Sequence, residues 1–195
     1  MTTTLLLSRF KPLALMITCL FVFSVLAEEK QTQYQEIEWI ELMPKDDLDA
    51  LLSPPEYLSN IEDGSLQDTV EAFSKNQLFD EQGKRFQKAL TSTRVIHTFE
   101  NKAIRVPGFI VPLESENHQK VTEFFIVPYF GACLHLPPPP PNQIIYATLP
   151  QGIEVTSLYE PFWFEGKLII ENTENTMGLA SYRLMLANVS KYEEE

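Results

Sequence analysis

The charge and length of this chain limit the kind of protein it can be. It has 195 residues, a net charge of −12 and 44% hydrophobic residues, which suits one folded domain with a good core. An acidic surface repels phosphate backbones and anionic lipid headgroups. We therefore expect no nucleic acid partner and no peripheral membrane binding, while cations, basic partners and simple solubility stay open.

Residues 1–27 have the pattern of a secretory signal peptide. Two basic residues precede an apolar run over residues 13–26, and Val25 and Ala27 fit a cleavage point. The run is about 14 residues long, short of the ~20 that span a bilayer, so an uncleaved anchor is the weaker alternative. We expect a periplasmic or otherwise exported location in a Gram-negative-type cell envelope, without stable membrane insertion after cleavage. The two basic residues leave with the signal, which takes the net charge from −12 to about −14.

Residues 28–91 are predicted to be an N-terminal extension with short helices. The pattern gives one extended run and three helices, at residues 37–42, 46–52, 66–75 and 81–90. Pro54 and Pro55 end the first helix, and Ser65 can cap the second. Phe86 and Leu90 have the i, i+4 spacing of a buried helix face.

Residues 92–192 are predicted to be a β-barrel domain. Six strands separated by turn signals are expected at residues 93–99, 103–113, 121–130, 143–148, 161–170 and 179–189. This number and spacing favour a mainly β fold, a small OB-like and partly open barrel, with a β-sandwich as the alternative. Gly108 and Gly166 lie inside strands and indicate bulges or bends that let a sheet curl.

Cys133 is the only cysteine that remains after signal cleavage, because Cys19 lies within the signal. One thiol in an oxidising compartment cannot form an internal disulfide. Cys133 is therefore buried, metal-bound, catalytic or paired with another chain, and burial as a small apolar side chain is the simplest alternative.

The stretch FGACLHLPPPPPNQ supports a metal site at this cysteine. Cys133 and His135 are two residues apart, so in a strand they project from the same face. A thiolate and an imidazole suit zinc or copper. Two donors do not complete a site, and His97 is the best candidate for a third ligand, with a carboxylate such as Glu114 or Glu165 as the alternative. Thiol catalysis instead requires a histidine that lowers the pKa of Cys133.

Five consecutive prolines predict a rigid polyproline II segment directly after this motif. Proline fixes φ and has no backbone N–H, so the segment cannot lie inside a sheet. It is either a stiff connection that fixes the approach of the residues after it, or a preformed docking surface for an aromatic-lined groove. The candidate interaction residues are Pro137, Pro138, Pro139, Pro140, Pro141, Asn142 and Gln143.

Aromatic residues are dense in the predicted barrel. Such side chains at strand spacing usually belong to the core, and the alternative is a platform for a small organic ligand or a peptide. The residues concerned are Phe124, Phe125, Tyr129, Phe130, Tyr159, Phe162, Trp163 and Phe164.

Four stretches carry a resemblance to a known family: RVPGFIVPLE, FFIVPYFGACLHLPPPPPNQIIY, FWFEGKL and GLASYRL. They resemble DUF3299, a secreted bacterial family of unknown function, over residues 92–192. The family has no established activity. The resemblance implies a genetic context, because such proteins are often encoded beside ABC transporters of the lipoprotein-exporter type and some of these gene clusters are zinc-responsive.

We therefore expect an exported accessory or binding protein of a cell-envelope, ABC-type transport system, which is not an enzyme. It would bind zinc or copper through Cys133 and His135, and its partner would be an envelope transporter or another exported protein. The alternatives are a cysteine-dependent thiol enzyme and a metal-free interaction module that uses residues 137–141.

Overall fold

A computed structural model describes residues 32–56, 81–116, 120–131 and 138–192. The predicted signal peptide and the predicted helix over residues 66–75 lie outside the described residues. From Thr32 onward the described residues belong to one compact unit. Within this part of the chain, no helix is long and apolar enough to cross a membrane.

Five strands close into a barrel, and a sixth short strand is added to it. The strands are β1 (Gln35–Glu36), β2 (Ala103–Glu116), β3 (Lys120–Val127), β4 (Ile145–Glu154), β5 (Phe162–Asn175) and β6 (Gly178–Lys191). Their order is β1-β2-β3-β4-β6-β5, and an additional pairing of β2 with β5 closes the barrel. β4 and β6 are parallel, as are β1 and β2, and the other pairs are antiparallel. This five-stranded connectivity confirms the mainly β, OB-like prediction and excludes the sandwich, although the barrel is closed rather than partly open.

β2 changes its partner at Gly108. Residues 103–108 pair with β5, whereas the rest of the strand pairs with β3. A Cβ atom at Gly108 would lie 2.8 Å from Ile126 Cγ2 and 2.9 Å from the carbonyl oxygen of Val127. The glycine therefore permits the close approach of two strands, as expected at a barrel corner. The register is regular at Gly108, and the predicted bulge is confirmed only at Gly166, where the β5–β6 register shifts.

The N-terminal segment contributes to the core of the barrel. It forms a 3₁₀ turn (Trp39–Leu42), helix α1 (Lys45–Leu51) and helix α2 (Glu81–Leu90). Ile37 and Leu42 pack with the side chains inside the barrel and are almost fully buried. The predicted helices over residues 46–52 and 81–90 are confirmed. The prediction of an extended run over residues 37–42 is wrong, because Glu38 and Glu41 form a capping box that stabilises the 3₁₀ turn, with Glu38 N–H 2.8 Å from Glu41 Oε2.

Residues 93–99 do not form the predicted first barrel strand. They are irregular up to Ile96, and His97–Phe99 is a 3₁₀ turn. Ile96 N–H donates to the Tyr182 hydroxyl at 2.7 Å, and the Arg94 carbonyl accepts from Asn142 Nδ2 at 3.0 Å. These backbone groups bond to side chains instead of to a neighbouring strand. A turn follows before β2, with Asn101 in the left-handed conformation at φ 61°.

Candidate functional site

The outer face of the barrel carries an apolar cluster of its own. Successive side chains of a strand point to opposite faces, so Phe124 and Ile126 fill the interior while Phe125 and Val127 point outward. The outer cluster also contains Phe109, Val111, Leu113, Ile144, Tyr146 and Ala180. The apolar side chains therefore extend over the outside of β2, β3 and β4, and an OB barrel binds its ligands on this side.

An apolar cleft of about 160 Å³ opens beside the outer cluster. One wall consists of β2 and β3 residues, among them Phe109, Val111, Pro112 and Val127. The rest is formed by Phe130 and Gly131 after β3, Leu158 in the β4–β5 loop and Met177 in the β5–β6 turn. We call this site the β2 cleft.

Exposed apolar side chains gather at the mouth of the β2 cleft. Leu158, Tyr159 and Met177 are 44%, 72% and 47% exposed, and they are three of the seven large hydrophobic side chains that are exposed in the described chain. Tyr159 stacks on Phe130 with ring centres 3.9 Å apart, and Phe130 meets Phe109 edge to face at 6.5 Å. Clustered exposed apolar side chains are typical of interaction sites, which makes this mouth a candidate.

Hydrogen bonds hold the loop that forms one side of the mouth. Glu160 accepts from Lys191 Nζ at 2.7 Å and from Thr156 Oγ1 at 3.2 Å. The bond from Lys191 lowers the pKa of Glu160. Tyr159 N–H donates to Ser157 Oγ at 3.2 Å. The loop is therefore ordered before any ligand binds, which reduces the entropy cost of binding.

Negative charge borders the outer apolar cluster. Glu114 in β2 lies directly opposite Glu123 in β3, an arrangement that is unfavourable without a cation. Neither carboxylate forms an ion pair with a lysine or arginine of the described chain. Burial, together with the charge of Glu123, raises the pKa of Tyr146 on the same face. Arg183 lies 5.5 Å from the Tyr146 ring centre but is paired with Glu171 at 3.0 Å.

The described residues do not assemble the predicted metal site. The His97 side chain is 74% exposed, and its Nδ1 lies 3.2 Å from Glu100 Oε2. Glu165 accepts from Asn188 Nδ2 at 3.0 Å, while Glu114 belongs to the acidic border described above. In the described chain, no group of three histidine, cysteine or acidic side chains could hold a metal ion. Cys133 and His135 lie outside the described residues, so the metal site stays a prediction.

The proline segment leads into a buried polar contact between the barrel and the N-terminal segment. Pro139 and Pro140 are buried, and Pro138 is exposed. A 3₁₀ turn (Pro141–Gln143) follows, in which Asn142 and Gln143 are 0% and 8% exposed. Gln143 Nε2 donates to the Trp39 carbonyl at 2.8 Å. Burial of Pro139 and Pro140 fits a stiff connection, while Pro138 is the most accessible proline in the described part of the segment. Pro137 lies outside the described residues.

The centre of this contact is a buried carboxylate, Asp47, which is 3% exposed. It accepts from Ser92 Oγ at 2.6 Å and from Asn142 Nδ2 at 3.5 Å, and it also pairs with Arg94. The bonds to Asp47 and Asp46 raise the pKa of Arg94, and the bond from Arg94 lowers the pKa of Asp46. We call the set of Asp47, Ser92, Arg94, Asn142 and Gln143 the polar junction.

The dense aromatic residues divide between core and surface. Phe124, Phe125, Phe162 and Phe164 are buried, as the core interpretation predicts. The ring of Trp163 is covered by the Arg105 guanidinium at 3.9 Å. Phe130 instead lines the β2 cleft, and Tyr159 stacks on it. The cleft also contains two residues that the sequence did not indicate, Leu158 and Met177. No local pattern identifies these two, because each lies in a connection whose position depends on distant strands.

The closed barrel with its surface cleft places the chain among small OB-like β-barrel proteins. The model of a family described as Protein of unknown function (DUF3299) matches residues 39–191, and the chain belongs to that family. It is similar to the crystal structure of a DUF3299 family protein from Pseudomonas aeruginosa PAO1, with 30% sequence identity and a TM-score of 0.56, over 84% of this chain and 99% of that chain. No curated protein matches the chain. The match begins well before residue 92, so the family includes the N-terminal segment.

Proposed function

We propose that this protein is an exported accessory or binding protein of a cell-envelope, ABC-type transport system. The interior of the barrel is filled by side chains such as Phe124, Phe164 and Tyr182, which are 0% exposed. A ligand must therefore bind outside the barrel, where the β2 cleft offers an apolar surface. The transporter, or another exported protein, is proposed as the partner because of the family resemblance.

One observation supports this site above others: Phe130 and Gly131, which line the β2 cleft, come directly before the segment with Cys133 and His135. The most distinctive motif of the sequence thus begins at the wall of an apolar cleft. A binding function fits this arrangement, since ligand sites are mostly apolar with a few polar groups that fix orientation.

We propose that Cys133 and His135 bind zinc or copper there. Their sulfur and nitrogen donors suit either metal, and a complete site needs further ligands from the chain, a partner or water. His97 is retained as the third candidate because its exposed ring can exchange the Glu100 contact for a metal at little cost.

Elemental analysis of the chain without residues 1–27 tests the metal proposal. We expect about one equivalent of zinc or copper after reconstitution and desalting, and loss of that metal in both Cys133→Ser and His135→Ala. His118→Ala is the matched control, since this histidine belongs to a separate polar loop of the sequence, and it should retain the metal. His97→Ala shows whether that ring is a ligand. Absence of metal from the unmodified chain, or retention in Cys133→Ser, would contradict the proposal.

A further inference from the structure

We infer that the β2 cleft receives one large apolar side chain from a basic segment of a partner protein. This inference rests on the proposed binding function and names the chemistry of the partner. It depends on the size of the cleft, the exposed side chains around it and the charge beside it.

The size of the β2 cleft favours a side chain over a small organic molecule. Pockets for drug-sized molecules measure about 300–1,000 Å³, whereas this one measures about 160 Å³. Protein interfaces are commonly anchored by a single aromatic or aliphatic side chain that fills such a pocket. The β2 cleft has the dimensions of an anchor pocket of this kind.

The mouth of the cleft has the composition of an interface centre. Leu158, Tyr159 and Met177 are apolar or aromatic, are exposed, and surround the opening. Aromatic residues and methionine are enriched at interfaces, where they exclude water around the anchor. The bonds of Glu160 to Lys191 and Thr156 hold one side of the mouth in place, so a partner meets a preformed surface.

The charge beside the cleft selects a basic partner. Glu114 and Glu123 face each other across neighbouring strands without a compensating cation in the described chain. They lie close to the cleft, because Phe125, two residues after Glu123, belongs to the apolar cluster beside it. The whole chain has a net charge of −12. A lysine or arginine that flanks the anchor would relieve the repulsion between the two carboxylates. The same field disfavours an anionic lipid or an acidic peptide.

Short peptides test the inference on the full chain without its signal. The probe is a pentapeptide with one central phenylalanine flanked by two lysines on each side, titrated to about 10 mM while amide chemical shifts are followed by NMR. The comparison peptides replace phenylalanine by alanine, or the four lysines by glutamates. We expect the lysine–phenylalanine peptide to shift the signals of Leu158 and Met177 and to bind at least about fivefold more tightly than either comparison peptide.

Matched substitutions locate the contact. Met177→Gln and Leu158→Gln should each weaken binding of the lysine–phenylalanine peptide about fivefold or more. Met185→Gln should leave binding unchanged, because Met185 is similarly exposed, at 55%, but does not line the cleft. Glu114→Gln combined with Glu123→Gln should remove the preference for lysine over glutamate.

Several results would overturn the inference. One is the absence of amide chemical-shift changes at about 10 mM peptide. Another is equal affinity for the lysine and glutamate peptides. A third is that Met185→Gln weakens peptide binding as much as Met177→Gln does. Tighter binding of toluene than of the peptide would instead assign the cleft to small apolar molecules. Metal retention is measured in a separate experiment, so the peptide test remains valid if the protein binds no metal. If the protein retains metal but does not bind the peptide, only the anchor-pocket inference is contradicted.

Discussion

Replacing Tyr182 by phenylalanine is expected to lower the free energy of unfolding by about 2–4 kcal/mol. Tyr182 is fully buried in the barrel, where its hydroxyl donates to the Leu42 carbonyl at 2.9 Å and accepts from Ile96 N–H at 2.7 Å. Phenylalanine keeps the ring but leaves both backbone groups without their partner. Urea denaturation of the two proteins measures the difference. The control is Tyr159→Phe, whose hydroxyl lies on a 72% exposed side chain and should contribute little.

Alkaline pH provides an independent check on the Tyr182 hydroxyl. Burial raises the pKa of Tyr182 to about 12 from its ordinary 10.0. The folded state therefore favours the neutral phenol. The contribution of the Tyr182 hydroxyl to the free energy of unfolding is complete below pH 10 and is lost as the pH rises from 10 to 12. The advantage of the original protein over Tyr182→Phe should shrink by about 2–3 kcal/mol across that range. A difference that stays constant with pH would contradict the buried, neutral hydroxyl.

Removing the carboxylate of the polar junction should have a similar effect. Asp47→Ala is expected to lower the free energy of unfolding by about 3 kcal/mol, because buried donors lose a charged acceptor. Ser92 Oγ loses its partner at 2.6 Å, and Asn142 Nδ2 loses one of two acceptors. Urea denaturation measures this change through the midpoint of unfolding, and circular dichroism confirms that the barrel remains folded.

Asp46→Ala is the matched control for the polar junction. Asp46 also bonds to Arg94, at 2.7 Å, but its side chain is 67% exposed. Solvent replaces such a surface contact, so the midpoint should hardly change. Equal effects of the two substitutions would mean that the burial of Asp47 adds nothing to its contribution to stability, and would contradict this prediction.

The candidate site could be predicted from the sequence only in part. The motif with Cys133 and His135 is evident because both donors lie in one short stretch. The rest of the β2 cleft was not evident, since Leu158 and Met177 come from two different connections. Their meeting depends on how β4, β5 and β6 are arranged in the barrel, and no local periodicity contains that information.

The strand over residues 93–99 illustrates why a local pattern can mislead. Its β-branched residues favour a strand, yet Ile96 N–H and the Arg94 carbonyl bond to Tyr182 and Asn142. Tertiary hydrogen bonds to side chains thus replaced the expected ladder. The N-terminal capping box had the same consequence for the predicted extended run, because it stabilises a 3₁₀ turn in place of a strand.

The sequence by itself determined the mainly β fold, all five barrel strands, α1 and α2, because alternation and helical spacing are short-range properties. The tertiary structure alone decided the closure of the barrel, the partner change at Gly108, the polar junction and the β2 cleft. The physical reason is separation along the chain. The hydroxyl of Tyr182 and the carbonyl of Leu42 are 140 residues apart, and Ser92 and Asp47 are 45 apart. Such contacts form only when the whole chain folds, through burial and hydrogen bonding that no short segment can specify.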